Sequence, residues 1–275
     1  MLNKEKTVWF SAGAGATPWE KICIVRDSTR PSAMHLIDHV FDQFVELHGD
    51  RFYGDDKALV GGIAYFRGVP VTVIAQERGR ELGERQMRNY AMMHPEGYRK
   101  AKRLAIQAER FSRPVICLVD TPGAYPGVGA EQRGQAESIA QCLLTFSSLR
   151  TPVITVILGQ GGSGGALALS VADMIFMFEN ATYSVISPEG FASICWKDAT
   201  RAREASEIMR ITAEDLADLG VVDEIIPEAP GGLHRNPEYS YAILRKRIAW
   251  ALETLQNEPL DDLIAQRRLK LRQAI

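Results

Sequence analysis

The sequence predicts an α/β domain built on a mainly parallel sheet. Two observations carry this. Apolar strand-like runs alternate with amphipathic helical runs along most of the chain. Two successive units also repeat one plan. PVICLVD, a loop TPGAYPGVGAE and a helix begin at Pro114, and PVITVIL, a loop GQGGSGGA and a helix begin at Pro152. Each unit puts small residues at the C-terminal end of a strand, where open α/β sheets bind ligands.

Taken in order, residues 1–30 form an N-terminal segment. Its first 16 residues are polar and glycine-dotted, expected to be disordered or to order only on a partner. Residues 31–275 form one domain. A helix runs from Ser32 to Gly49, with Met34, Ile37, Val40, Phe41, Phe44 and Val45 at three- and four-residue intervals. Ala58 to Phe66 and Val69 to Gln76 read as strands joined at Arg67-Gly68. ERGRELGERQMRNY is charged and glycine-broken, which fits a solvated loop and a binding loop equally.

Pro95 to Arg113 is a helix with a cationic face of Arg99, Lys100, Lys102, Arg103 and Arg110. A buried strand (Pro114 to Val119), the loop Asp120 to Glu131 and a helix (Gln132 to Leu149) follow. The second unit has its strand at Thr151 to Leu158 and its helix at Ser163 to Val171. Strands are expected at Met174 to Phe178, Thr182 to Ile186 and Val221 to Ile226. Thr212 to Asp215 caps a short helix that stops at Gly220. Two helices close the chain after a Pro/Gly linker.

A net charge of −2 argues against a surface built for nucleic acid or membrane. No apolar run reaches the ~20 residues of a membrane helix, and the N-terminus lacks the apolar core of a secretory signal. Cys23, Cys117, Cys142 and Cys195 are scattered, without the paired spacing of a disulfide framework or a zinc site. The expected location is the cytoplasm.

The central stretch is LGQGGSGGALALS, Leu158 to Ser170. Gly161, Gly162, Gly164 and Gly165 strip side chains from the point where strand becomes helix, leaving free N–H groups that an anion can approach. The same letters satisfy two other motifs. Gly159 to Gly164 reads G-x-G-x-x-G with Glu179 downstream, as in dinucleotide-binding folds. Gly161 to Gly165 reads G-x-S-x-G, with Asp198 or Asp223 and then His234 in the chain order of a serine hydrolase acting through Ser163. The hydrolase motif leaves the first loop, at Thr121, unused. A dinucleotide fold usually places its fingerprint on the first strand of the domain, whereas several elements precede it here.

Longer blocks discriminate. TPGAYPGVGAEQRGQ (Thr121 to Gln135), GQGGSGGALAL (Gly159 to Leu169), YSVISPEGFASICWKD (Tyr183 to Asp198), ELHGDR with DDKALVGG, PEGYRKA and IIPEAPGGLHRNP resemble the carboxyltransferase α subunits of bacterial acetyl-CoA carboxylase. They span most of residues 30–240 in the family's order. Glu77 to Leu82 departs from the family's usual K-G-R-x-T, and Tyr90-Ala91-Met92 from F-G-M.

The resemblance implies a crotonase/ClpP-like spiral of ββα units with peripheral and C-terminal helices. It implies a β subunit of related fold that carries a Cys₄ zinc ribbon, in an α2β2 core, so no metal is expected in this chain. The implied reaction moves a carboxyl group from carboxybiotin on the biotin carboxyl carrier protein to acetyl-CoA, giving malonyl-CoA, the first committed step of fatty acid synthesis. ATP is used by a separate biotin carboxylase. Another acyl-CoA remains an alternative acceptor.

In this reading the N–H groups of Gly164 and Gly165, with Gly161 and Gly162 as secondary donors, form an oxyanion hole for the biotin ureido oxygen. Thr121, Pro122, Gly123, Ala124, Tyr125 and Gly127 wall the cavity. Arg78 and Arg80, with the cationic helix face, are candidates for the CoA phosphates. Ser163 is then no nucleophile, His234 is structural or partner-facing, and Glu189 marks a helix start.

Overall fold

The computed structural model describes residues 15–273. The expectation for residues 1–16 therefore lies almost wholly outside the described residues. Helix α1 (Pro18–Arg26) opens on a capping box: the Thr17 hydroxyl accepts from Glu20 N and the Glu20 carboxylate accepts from Thr17 N. Helix α2 (Ala33–Val40) buries Leu36, Ile37 and Val40.

The helix predicted to Gly49 ends at Val40. Phe41 turns extended, Gln43 takes a left-handed φ of 51°, and Asp42–Glu46 forms strand β1. It pairs antiparallel with β2 (Leu59–Phe66), with a register shift between Asp42 and Val45. The spacing is helical, but pairing with the free edge of β2 overrode it. β2 and β3 (Val69–Gln76) form the expected hairpin.

The charged stretch after β3 is not bare loop. It holds helix α3 (Leu82–Met87) and a 3₁₀ turn at Asn89–Ala91. Helix α4 (Pro95–Arg110) follows, then β4 (Val115–Thr121), α5 (Val128–Gln132) and α6 (Gln135–Ser148). One helix was expected where α5 and α6 stand; Gly134, at φ 81°, separates them. Strand β5 (Val153–Gly162) runs further than predicted, through the glycines, and α7 (Ser163–Leu167) is correspondingly short.

The remainder is β6 (Met174–Phe178), β7 (Thr182–Ser184), α8 (Pro188–Trp196), α9 (Ala202–Ile208), α10 (Ala213–Asp218), β8 (Glu224–Ile226), α11 (Pro237–Gln256) and α12 (Leu260–Gln273). The capping box at Thr212 and the stop at Gly220 (φ 72°) are as predicted. Helix α8 begins where Glu189 was read as a helix start, and α9 lay in a stretch without a predicted element.

The sheet order is β1-β2-β3-β4-β5-β6-β8, antiparallel over the first three strands and parallel from β3 onward. Strand β5 serves two neighbours in succession. Ile154–Ile157 pair with β6, and Gln160–Gly162 pair with β7. This change of partner opens the sheet at the glycine segment. Helices α4 and α6 pack together, α4 lies on β2 and β3, and α2 lies on β3 and β4. The fully buried Val115 to Val119 and Val153 to Leu158 form the centre of the core.

The C-terminus is tied down by a buried charge. Arg267, 1% exposed, donates to Phe146 O, Leu149 O and Thr151 O and pairs with Asp173 at 2.6 Å. It thereby pairs carbonyls at the end of α6, which a helix otherwise leaves open, and locks α12 beside the start of β5.

Candidate functional site

The two loops predicted to cooperate are in backbone contact. A Cβ on Gly162 would lie 2.1 Å from Pro122 O, and one on Gly165 would lie 2.6 Å from Gly123 C and 2.7 Å from Ala124 N. Both positions are glycine because the 122–124 backbone occupies the space of a side chain. Gly164 is different. A Cβ there would meet only Ile139, at 3.7 Å, and its residue is half-buried.

Gly164 and Gly165 fall in the first turn of α7, where N–H groups have no intrahelical acceptor. Among the described residues neither N–H donates to a protein group. Gly161 and Gly162, the secondary donors, lie instead within strand β5. Gly161 is paired with Thr121 on one side and Tyr183 on the other, and Gly162 with Ser184.

The facing loop is held rigidly. The buried Thr121 hydroxyl has Ala91 O at 2.7 Å and Gly123 O at 2.8 Å as acceptors for its one proton, and accepts from Gly123 N at 3.1 Å. Tyr125 N donates to Met93 O, and the Gln135 side chain donates to both Met93 O and Tyr125 O. The Tyr125 ring stacks on His94, centroids 4.2 Å apart. Gly127 follows as the N-cap of α5. Thr121 thus pairs with Gly161, and Pro122 to Ala124 lie against Gly162 and Gly165.

The two arginines proposed for phosphate differ. Arg78 points inward, donating to Val25 O and Arg30 O, with its Nε 3.5 Å from Asp120 Oδ2. That guanidinium braces the N-terminal segment and is not free for a phosphate. Arg80 is exposed, 3.5 Å from Asp38. The cationic face of α4 is also largely internal. Lys100 is fully buried against Leu59 O and Asp55, Arg99 pairs with Asp50 and Glu96, and Arg103 donates to Gly49 O. It clamps the 46–56 loop; only Arg110 is exposed.

Two features escaped the sequence reading. Asp120 accepts from Gln160 N at 2.9 Å, binding the ends of β4 and β5 together. Its place directly before TPG was the available signal. Below the glycines, Arg30 and Glu228 form a wholly buried pair at 2.6 Å, and Arg30 also donates to Leu158 O. Burial pushes the Glu228 carboxyl up, but Arg30 and the donors of Asn180 outweigh it and hold it below its ordinary value. Glu77 accepts from Met34 N at the start of α2 and from Gly79 N. Burial raises its carboxyl above the usual range.

The rival motifs lose their partners. Ser163 is exposed with a left-handed φ of 53°, as a nucleophile would be. However, Asp198 is bonded to Thr200, Asp223 to Ile175 N and Lys270, and His234 Nδ1 is buried without a partner, so no triad forms. Ser163→Ala is expected to retain most activity in a transfer assay, whereas an acyl-enzyme would lose about 10⁶-fold. Glu179, the acidic residue of the dinucleotide reading, is buried and accepts from Glu228 N. Glu189 pairs with Arg26 across from α1, in keeping with its structural role. Burial pushes the Cys142 thiol up to about 12 and Cys117 likewise upward, so neither is a thiolate near neutral pH.

Comparison with known proteins identifies the family. Residues 3–274 match the family described as acetyl co-enzyme A carboxylase carboxyltransferase-like. The acetyl-coenzyme A carboxylase carboxyl transferase subunit alpha of Clostridium botulinum (strain Alaska E43 / Type E3) is 52% identical over 271 residues, 98% of both chains. That of Shouchella clausii is 54% identical over 254 residues, 92% of this chain and 78% of its own.

Among solved structures, transcarboxylase 12S superposes with a TM-score of 0.70 at 23% identity, over 88% of this chain and 45% of that one. A Pseudomonas malonate decarboxylase hetero-tetramer gives 0.62 at 19%, over 78% and 86%. These establish the fold as the crotonase-like carboxyltransferase type. No helix among the described residues is long and apolar enough to cross a membrane.

Proposed function

We propose, from the premise that the chain belongs to the acetyl-CoA carboxylase carboxyltransferase family, that it is the α subunit that moves a carboxyl group from carboxybiotin on the biotin carboxyl carrier protein to acetyl-CoA. The product is malonyl-CoA, the first committed intermediate of fatty acid synthesis. A zinc-ribbon β subunit completes the site in an α2β2 core, and a separate biotin carboxylase uses the ATP. The setting is the cytoplasm.

One observation carries the reading: two adjacent N–H groups, Gly164 and Gly165, left without protein acceptors at a turn whose opposite wall is fixed backbone. When carboxybiotin gives up its carboxyl group, negative charge develops on the ureido oxygen. Deprotonating the acetyl methyl places charge on the thioester oxygen. Fixed donors aimed at such a charge stabilise it without reorganising, and each is worth about 10²–10³ in rate. In this division the α chain serves the ureido oxygen, while Thr121 to Gly127 wall the cavity. Arg80, exposed beside α2, is the remaining candidate for CoA phosphate.

The β subunit is expected on the side of the glycine turn. Val185 and Ile194, in the segment after β7, are apolar and exposed (86% and 62%), as a subunit-facing surface would be.

The test is carboxyl transfer between malonyl-CoA and a soluble biotin derivative, with this chain alone and then with a zinc-ribbon β subunit. Activity only in the mixture is the expected result. No activity in a complex verified by sedimentation would remove the reading.

A further inference from the structure

Ten non-glycine residues among those described have a left-handed φ, and three of them are consecutive: Asn89, Tyr90 and Ala91, at 47°, 53° and 65°. Asparagine tolerates this region. Tyrosine and alanine do so at a cost, because Cβ crowds the neighbouring carbonyl. Such backbone survives only where its surroundings over-determine it, and it concentrates at functional sites.

The surroundings here are explicit. Ala91 N donates to Arg88 O and Met92 N to Asn89 O, closing the turn. The Asn89 side chain meets His94 Nδ1 at 3.1 Å, and His94 N donates to the buried Asp56 carboxylate at 2.7 Å. From this frame two carbonyls reach the neighbouring loop: Ala91 O takes the Thr121 hydroxyl, and Met93 O takes Tyr125 N and Gln135 Nε2. The loop so held, residues 121–125, is the backbone that Gly162 and Gly165 press against.

We propose that the Asn89–Ala91 turn is a positioning element for the glycine cradle: its left-handed backbone presents the Ala91 carbonyl to the Thr121 hydroxyl, and this contact sets where the 122–124 backbone seats the first turn of α7. The turn touches no reacting atom. Its catalytic consequence rests on the cradle reading given above; its structural consequence does not.

Three variants test it, each in the full chain and in complex with the β subunit. Thr121→Val keeps the shape of the side chain and removes the hydroxyl. Ala91→Val disfavours the left-handed turn, and Ala91→Gly admits it without strain. Thr121→Val and Ala91→Val are expected to speed amide hydrogen exchange in residues 161–167 about tenfold, with strands β2 and β3 unchanged. They are expected to lower kcat by about tenfold with little change in KM for acetyl-CoA, because the cradle acts on charge that develops only in the transition state. Ala91→Gly should leave both readouts near wild type.

Unchanged exchange at 161–167 in folded Thr121→Val would overturn the proposal, as would equal effects of Ala91→Gly and Ala91→Val. If Ala91→Val does not fold, Thr121→Val decides alone. Faster exchange in a complex whose wild-type form transfers no carboxyl group would uphold the positioning role and remove only the assigned activity.

Discussion

Replacing Gly164 with alanine will leave the chain as stable as before, or slightly more stable, and will slow carboxyl transfer by about 10²–10³-fold. The position is helical, with no positive φ, and nothing within 3.7 Å obstructs a methyl group. Alanine is favoured over glycine inside a helix by up to ~1 kcal/mol. Helical Cβ atoms tilt toward the N-terminus, so this methyl would stand in front of the free N–H groups and keep an oxyanion from reaching them.

Gly165→Ala forms the control. Its methyl would meet the backbone of Gly123 and Ala124, so overpacking is expected to cost about 1–3 kcal/mol, with activity lost as well. The pair is read by thermal unfolding together with kcat in the reconstituted complex. A Gly164→Ala chain with full activity would remove the first turn of α7 from the site. A Gly164→Ala chain that melts early would mean that the space seen beside Ile139 is needed for packing.

The contrast between these glycines shows where the sequence was legible. The run of small residues after an apolar strand marked the turn, and the twin unit at Pro114 marked its neighbour, because both patterns are local. Which glycine faces open space and which faces backbone is a long-range property. It depends on Pro122 to Ala124 crossing β5 some forty residues away in sequence, and nothing in G-G-S-G-G encodes that. The internal placement of Arg78 and Lys100 was illegible for the same reason. Arg78 and Lys100 look alike with Arg80 in a charge pattern, yet two of the three are satisfied internally by carbonyls and carboxylates brought from elsewhere. Asp42 to Glu46 read as helix because Phe41, Phe44 and Val45 follow the helical period. Pairing with the free edge of β2 overrode the local preference.

The largest stability effect is expected at the Arg30–Glu228 pair. Both side chains are fully buried, and between them they hold four elements: the segment before α2, the middle of β5 through Leu158 O, Asn180 after β6, and Leu233 N in the turn at 233–235. Glu228→Gln leaves the guanidinium buried without a counter-charge, which costs about 3–5 kcal/mol. In a domain this large that is a fall in Tm on the order of 10 °C. Arg30→Met should cost a similar amount. The double variant Arg30→Met/Glu228→Gln should recover part of the loss, because glutamine still accepts from Leu233 N while no charge remains to be solvated.

The pH dependence has a definite sign. The folded carboxyl lies below its unfolded value, so its contribution is fully present above about pH 4.3 and is lost as pH falls through the folded value. The gap in Tm between wild type and Glu228→Gln should therefore be constant from pH 8 to about pH 5 and narrow below that. A gap that widens on acidification would mean that Glu228 is protonated in the native state. Because Arg30 also donates to Leu158 O, immediately before the glycine segment, the same variant should lose transfer activity at temperatures where it remains folded. Activity undiminished in folded Glu228→Gln would show that the cradle is set by its contact with Pro122 to Ala124 and is indifferent to the ion pair beneath it.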